Sequence, residues 1–131
     1  MTTTIQRSMD YLRDKGYDVA NIQKAKLMGG KKVLYMDAYG YADLEAYNAM
    51  ECVHVQAMGN GEIRQHVEKY EADLEIVRRI QRWTSSTSRR LEFHVWSKVR
   101  PKNKDGKKGK KQIWRPRVYD VFVNGDRILV R

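Results

Sequence analysis

This chain is poor in cysteine, in long apolar runs and in acids. Its single thiol, Cys52, cannot close an internal disulfide, so a reducing cytoplasm is the expected compartment. Cys52 lies in an alternating apolar run with no Cys–His motif around it, which reads as a buried strand thiol rather than a nucleophile. No stretch approaches the roughly 20 apolar residues of a membrane span, and the N-terminal residues lack the apolar core of a signal peptide, so no membrane partner is expected. Acids number 16 against 26 lysines and arginines, giving a net charge of +10. Such a surplus points to a polyanionic partner, most often nucleic acid.

What is present suffices for one domain over residues 1–131. The hydrophobic fraction of 41% can fill one core, while 32% charged residues and a mean hydropathy of −0.75 describe a heavily solvated surface. The positive charge is localised. Residues 98–111 carry eight basic side chains (Lys98, Arg100, Lys102, Lys104, Lys107, Lys108, Lys110, Lys111) and one acid. A run of this kind can be a solvated hairpin tip or an anionic-lipid patch. Trp96, Trp114, Arg115 and Arg117 flank it, and aromatic and arginine side chains favour a nucleic-acid surface.

Periodicity sets the elements. Thr3 and Gln6 have capping-box spacing, and Ile5, Met9 and Leu12 mark one face of a helix that Gly16 stops. Tyr17 to Ala25 reads as a first strand, and Val33 to Asp37 as a second that carries Asp37 at its end. Gly40 interrupts before a strand from Leu44 to Tyr47, and Cys52 to Met58 is a central strand. Its residues Cys52, His54, Gln56 and Met58 face one way and Val53, Val55 and Ala57 the other. Asn60 is the expected N-cap of a helix whose apolar face is Ile63, Val67, Tyr70, Leu74 and Val77, with a break expected near residue 72. A polar connector, Thr84 to Ser88, leads to a strand over Leu91 to Trp96. The basic hairpin loop joins it to Ile113–Val123, and Asn124-Gly125 is the expected turn of a C-terminal β-hairpin. His54 and His94 alternate with apolar residues, so both read as strand histidines satisfied by a backbone partner.

Four segments, in order, resemble one family. Arg7 to Tyr17 is similar to an opening helix with a glycine-aromatic exit. Asp37 to Leu44 has the pattern Asp-x-aromatic-Gly-aromatic-x-Asp-Leu. Val55-Gln56 looks like the end of a central strand, and Arg90 to Trp96, followed by a basic loop and Trp114-Arg115-Pro116, resembles a late strand with His-x-Trp. Together they resemble small phage and bacterial proteins of the restriction-endonuclease-like, or PD-(D/E)XK, nuclease superfamily. The resemblance implies an α/β (α+β) fold, a mixed sheet flanked by helices. It also implies a metal-dependent DNA endonuclease using Mg²⁺ or Mn²⁺, and by analogy a homodimer.

In that superfamily an aspartate, then an acid or glutamine, then a lysine two residues further on stand beside the metal. Asp43 matches the first position and Gln56 the second, which makes both metal ligands and, with Asp37, catalytic residues by resemblance. Met58 stands where the lysine would be, and a thioether carries no charge and binds Mg²⁺ poorly. Replacement cations are available in Arg64 and Lys69 on the following helix, or in Lys31 and Lys32 before the aspartates, and Asp10 can add a carboxylate. Asp37 has an alternative use, bracing Lys31 or Arg90 in an ion pair. The departure at Met58 leaves two other functions open: a catalytically degenerate nuclease-fold protein that binds nucleic acid, and a phage-encoded inhibitor that targets a protein.

Overall fold

The computed structural model describes residues 2–28, 32–107, 109 and 111–131, with the side chains of 26–28 and 32–34 left aside. The described residues form a mixed α+β fold. Its elements in chain order are α1 (Thr4–Asp14), β1 (Asp18–Asn21), β2 (Lys24–Met28), β3 (Lys32–Met36), β4 (Leu44–Tyr47), β5 (Cys52–Gly59), α2 (Ile63–Glu71), α3 (Leu74–Thr84), β6 (Arg89–Val99), β7 (Ile113–Asn124) and β8 (Arg127–Val130). Six strands form one sheet in the order β1-β4-β5-β6-β7-β8, and β2 and β3 pair as a separate hairpin. Among the described residues only the β5–β6 pairing is parallel, and the helical pair α2–α3 makes the crossover it requires.

Helices cover both faces of the sheet. Leu12 of α1 packs on Leu44, Ala46, Val53 and Val55. On the other face Tyr70, Ile76, Val77 and Ile80 of α2 and α3 pack on Met58, Leu91, Phe93, Val95 and Val121. The period-2 alternation of β5 therefore divides it between two cores, as its sequence predicts. Met58 is 2% exposed, seated in the second core.

Several local expectations need correction. The predicted strand from Tyr17 to Ala25 is two strands, because the Asn21 side chain accepts from the Gln23 N–H at 3.0 Å and turns the chain. Half of the first capping box forms: Thr3 Oγ1 accepts from Gln6 N–H at 3.1 Å, but the Gln6 amide donates to Asp10 instead of returning to Thr3. Asn60 is not a cap. The second helix begins at Ile63, and the Glu62 carboxylate turns back to accept from the Gly59 N–H.

The break near residue 72 is present. Asp73 takes an extended backbone and its side chain accepts from Glu75 N–H at 3.0 Å, starting α3 afresh. That restart shifts the helical phase, so Leu74 is 49% exposed and Ile76 and Ile80 enter the core in its place. At the C-terminus Asn124 pairs with Arg127, so the two-residue connection is Gly125-Asp126. Gly125 carries the positive φ of 64° at its first central position, as a type II′ turn requires.

Both strand histidines have side-chain partners rather than backbone ones. His94 is fully buried against α1, with Nδ1 3.0 Å from Ser8 Oγ and Nε2 3.1 Å from Glu92 Oε1. Ser8 also accepts from Trp96 Nε1 at 2.8 Å. A Ser–His–Glu arrangement of this kind resembles a hydrolytic triad on paper. Ser8 is 0% exposed, however, so no substrate reaches its oxygen, and the cluster instead ties α1 to β6. Cys52 is half-buried and 3.4 Å from Glu45 Oε1, and burial together with that carboxylate pushes its thiol up to about 11.

Candidate functional site

The register places the carboxylate and the amide opposite one another. Leu44 pairs with Val55, and the Asp43 N–H donates to the Val55 carbonyl at 2.8 Å, so Asp43 and Gln56 share the sheet face beneath α2. Asp43 is 2% exposed and surrounded by donors. Its Oδ2 accepts from Gln56 Nε2 at 2.8 Å and from the Ala57 N–H at 2.9 Å, while Oδ1 accepts from Gln23 Nε2 at 3.2 Å. Asp37 approaches from the end of β3, within hydrogen-bonding reach of Asp43. Burial first, and then the Asp37 carboxylate, push Asp43 up to about 8, against the pull of Ala57 and Gln56. Asp43 thus favours its protonated form more than an exposed carboxylate does.

Tyr70 completes the inner layer. Its hydroxyl lies 3.1 Å from Gln56 Oε1 and donates to the Tyr41 carbonyl at 2.7 Å. Gln56 thereby has its nitrogen on Asp43 and its oxygen on Tyr70. In this orientation Gln56 holds Asp43 in place, and its oxygen is turned away from the carboxylate pair. Sequence reasoning missed Gln23 and Tyr70. Gln23 carries no local signal, but a tyrosine among aliphatic residues on a core-facing helix seam does: a buried phenol needs a polar partner.

Asp37 connects this layer to solvent. Its side chain is 12% exposed and lines a cleft of about 610 Å³ with Lys24, Tyr39, Lys69, Asp73 and Arg79. Lys69 Nζ lies 3.6 Å from Asp37 Oδ2. Of the replacement cations, Lys69 therefore reaches the carboxylates. Arg64 does not: it pairs with Glu68 at 2.9 Å on the outer face of α2. Lys31 lies outside the described residues, and for Lys32 the description is limited to its backbone at the start of β3. Asp37 does not brace Arg90, which is engaged by Glu51 and Glu92. Asp10 stands on α1, across the sheet from Asp43, with Gln6 and Arg13 as its partners.

The oxygen-only donor set suits a hard cation. Mg²⁺ is commonly held through one or two carboxylates, with waters and substrate phosphates completing its shell. Among the described residues no group of three or more His, Cys, Asp or Glu side chains converges, and Asp37 and Asp43 are the two carboxylates that would hold such an ion. Two neighbouring carboxylates, one buried and one at the edge of the cleft, fit such a cation, whose charge would offset their mutual repulsion.

The basic surface lies further out. Lys98, Arg100, Lys102, Lys104, Lys107, Lys111, Arg115 and Arg117 are exposed, and Lys108 and Lys110 lie outside the described residues. The loop is folded back on itself, with Asn103 N–H donating to the Lys107 carbonyl at 2.7 Å and Gly109 N–H to the Pro101 carbonyl at 3.0 Å. At its base Trp114 is 40% exposed. The Arg7 guanidinium lies 3.8 Å from the Trp114 ring centre and Lys98 Nζ 5.3 Å from it. Arg7 belongs to α1, so this aromatic contact is on the sheet face away from Asp43.

Comparison of the chain with protein-family models, with curated proteins and with solved structures returned no match in any of the three. Among the described residues no helix is long and apolar enough to cross a membrane.

Proposed function

We propose that this protein is a metal-dependent phosphodiester hydrolase acting on nucleic acid, DNA by resemblance, with its reacting centre at Asp37 and Asp43. The observation that carries the reading is the placement of Asp37 on the wall of an open cleft, beside the buried Asp43 and 3.6 Å from Lys69. Lysine from α2 supplies the positive charge that Met58 withholds on β5. A bound Mg²⁺ or Mn²⁺ would supply Lewis acidity and a water of lowered pKa. The chain's own residues do the rest. Gln56, Gln23 and the Ala57 N–H fix the Asp43 carboxylate, Asp37 presents the exposed edge of the pair, and Lys69 offsets charge that develops on a phosphate in the cleft. The exposed basic loop, with Arg115 and Arg117, adds a sequence-independent grip on phosphates.

The decisive experiment incubates supercoiled plasmid and branched DNA with Mg²⁺ or Mn²⁺, comparing the wild type with Asp43→Asn and Lys69→Met. Both substitutions are expected to abolish nicking while leaving salt-sensitive binding. Equal nicking by Asp43→Asn would overturn the assignment. Cutting both strands in concert would take two copies, which sedimentation in the presence of DNA tests.

A second reading has its own support. Gln56 Oε1 is engaged by Tyr70 and Met58 is buried, so the pair can be a relic within a protein that only binds nucleic acid. That reading expects no metal-dependent nicking at any substrate geometry, and binding that survives Asp43→Asn.

A further inference from the structure

Beside the carboxylate cleft lies a second one of about 520 Å³, and Tyr39 borders both. Tyr39 is the first central residue of a tight turn. The Tyr41 N–H donates to the Ala38 carbonyl at 3.1 Å, and Tyr39 and Gly40 both have positive φ, 57° and 81°. That is a type I′ turn, whose first central position favours Asn, Asp or Gly. Among the described residues Tyr39 alone, apart from glycines, has a positive φ. A bulky residue in this conformation is strained by about 1–2 kcal/mol. The ring gains little burial in return, since Tyr39 is 54% exposed. A strained aromatic kept at the surface beside a cleft calls for a use outside folding.

The surroundings of Tyr39 are laminated. Its ring is inclined 20° to that of His54 at 5.7 Å, and His54 stacks on Trp83 at 3.6 Å and 2°. The three planes thus share nearly one orientation, and Arg89 continues the series 5.1 Å from the Trp83 ring centre. Burial holds His54 down to about 4, so it is a neutral ring at physiological pH, with Nδ1 2.8 Å from the Tyr41 hydroxyl. Arg79, Arg82 and Arg89 line the cleft against one acid, Glu45. Arg79 Nη1 also donates to the Tyr39 carbonyl at 3.2 Å, tying the turn to α3. Planar rings, arginines and one carboxylate are complementary to a flat heterocycle with ring donors and an attached phosphate.

The position is informative too. His54 and Gln56 lie on one face of β5, one pleat repeat or about 7 Å apart. A ligand in the second cleft is therefore adjacent to the carboxylate pair. A paired base inside a duplex has no free face to offer Tyr39, whereas an unpaired base does.

We propose that this cleft binds one unpaired nucleotide, its base against the exposed ring of Tyr39 and its phosphate against Arg82 and Arg89. The inference rests on the reading of the protein as one that acts on nucleic acid, and it assigns that site a preference for substrates with a single-stranded flank next to the phosphate attacked. Glu45 is placed to accept from an amino or imino edge of the base.

The test uses the full chain in EDTA, so that binding is read without cleavage. Fluorescence anisotropy compares a 5′-phosphorylated ten-residue oligothymidylate with a duplex of the same length, for the wild type, Tyr39→Asn, Arg82→Gln and, on the opposite sheet face, Trp114→Ala. Asparagine suits a left-handed turn position, so Tyr39→Asn is expected to keep or raise Tm while weakening single-strand binding about five- to a hundredfold. Arg82→Gln weakens the single strand in the same direction, and duplex affinity stays within about twofold in Tyr39→Asn, as expected of a stacking contact that a duplex does not make. Equal weakening of both ligands, no weakening, or loss of single-strand binding in Trp114→Ala alone overturns the inference. The hydrolase reading fails by a different measurement, undiminished plasmid nicking by Asp43→Asn, which leaves these binding constants untouched. Failure of the wild type to bind either oligonucleotide would overturn both.

Discussion

Replacing Asp43 by asparagine changes one atom of a buried side chain, and its effect on stability can be worked out in sign and size. The asparagine oxygen can accept from Gln56 Nε2 and the Ala57 N–H, and its amide can donate toward Asp37. In the wild type the folded-state carboxyl is raised from 3.8 to about 8. Between these values the folded protein holds a proton that the unfolded chain has released. The resulting contribution to stability is fully present below the unfolded value and is lost as pH rises through about 8. Its slope is at most about 1.4 kcal/mol per pH unit for one proton, so the loss from pH 5 to pH 7 is on the order of 2–3 kcal/mol.

His54 works in the opposite direction. Its folded value is lowered from 6.5 to about 4 by burial, so its contribution is present above 6.5 and lost as pH falls through 4. The two slopes overlap in the wild type and partly cancel. Asp43→Asn removes only the first. Urea unfolding at pH 5, 6 and 7 in EDTA should show the variant gaining on the wild type by on the order of 2–3 kcal/mol across the range, or roughly 10 °C in Tm for a domain of this size. A difference between variant and wild type that stays constant with pH would show that no proton is held at Asp43, and the case for a metal-displaceable pair would fall with it. Mn²⁺ added at pH 7 should stabilise the wild type and leave the variant unchanged.

Three further outcomes follow from the packing and the charge distribution. Ser8→Ala removes the partner shared by the buried Trp96 Nε1 and His94 Nδ1, and should cost about 3 kcal/mol in urea unfolding with an unchanged m-value; a loss below about 1 kcal/mol would mean that water replaces the hydroxyl. Gly40→Ala combines a φ of 81° with a Cβ only 2.8 Å from Ile76 Cδ1, so a loss of about 2 kcal/mol is expected, while an unchanged Tm would show that Ile76 moves aside. Neutralising Lys102, Lys104 and Lys107 to glutamine should flatten the log–log dependence of duplex affinity on salt by up to about 3, because each lost phosphate contact removes about 0.9 from the slope. An unchanged slope would exclude the loop from binding.

The local pattern of the chain was largely legible in sequence, for reasons that are themselves local. Strand alternation over Cys52–Met58 and Leu91–Trp96, the helix break near residue 72 and the basic hairpin loop depend on side-chain periodicity, turn chemistry and charge, all of which neighbouring residues determine. The errors are local as well, and a competing hydrogen bond explains most of them. Asn21 turned a predicted strand into two, and Glu62 rather than Asn60 closed the entry to α2 by bonding Gly59. Leu74 was lost from the core because the Asp73 cap reset the helical phase.

Composition and spacing alone determined that this protein has one modest core and a concentrated positive surface, and only a family resemblance singled out Asp43 and Gln56. Only the tertiary structure decided what that aspartate is. Burial beneath Tyr70, and then Asp37, brought in from a separate hairpin, push its carboxyl above the usual range. The cation beside Asp37 is Lys69, from a helix reached after the crossover begins, and no spacing rule connects the two residues. Periodicity specifies which way a side chain points from its own element. Which distant elements meet at that point is settled when two sheet faces bury their apolar surface together, and the chemistry of Asp43 arises from that meeting.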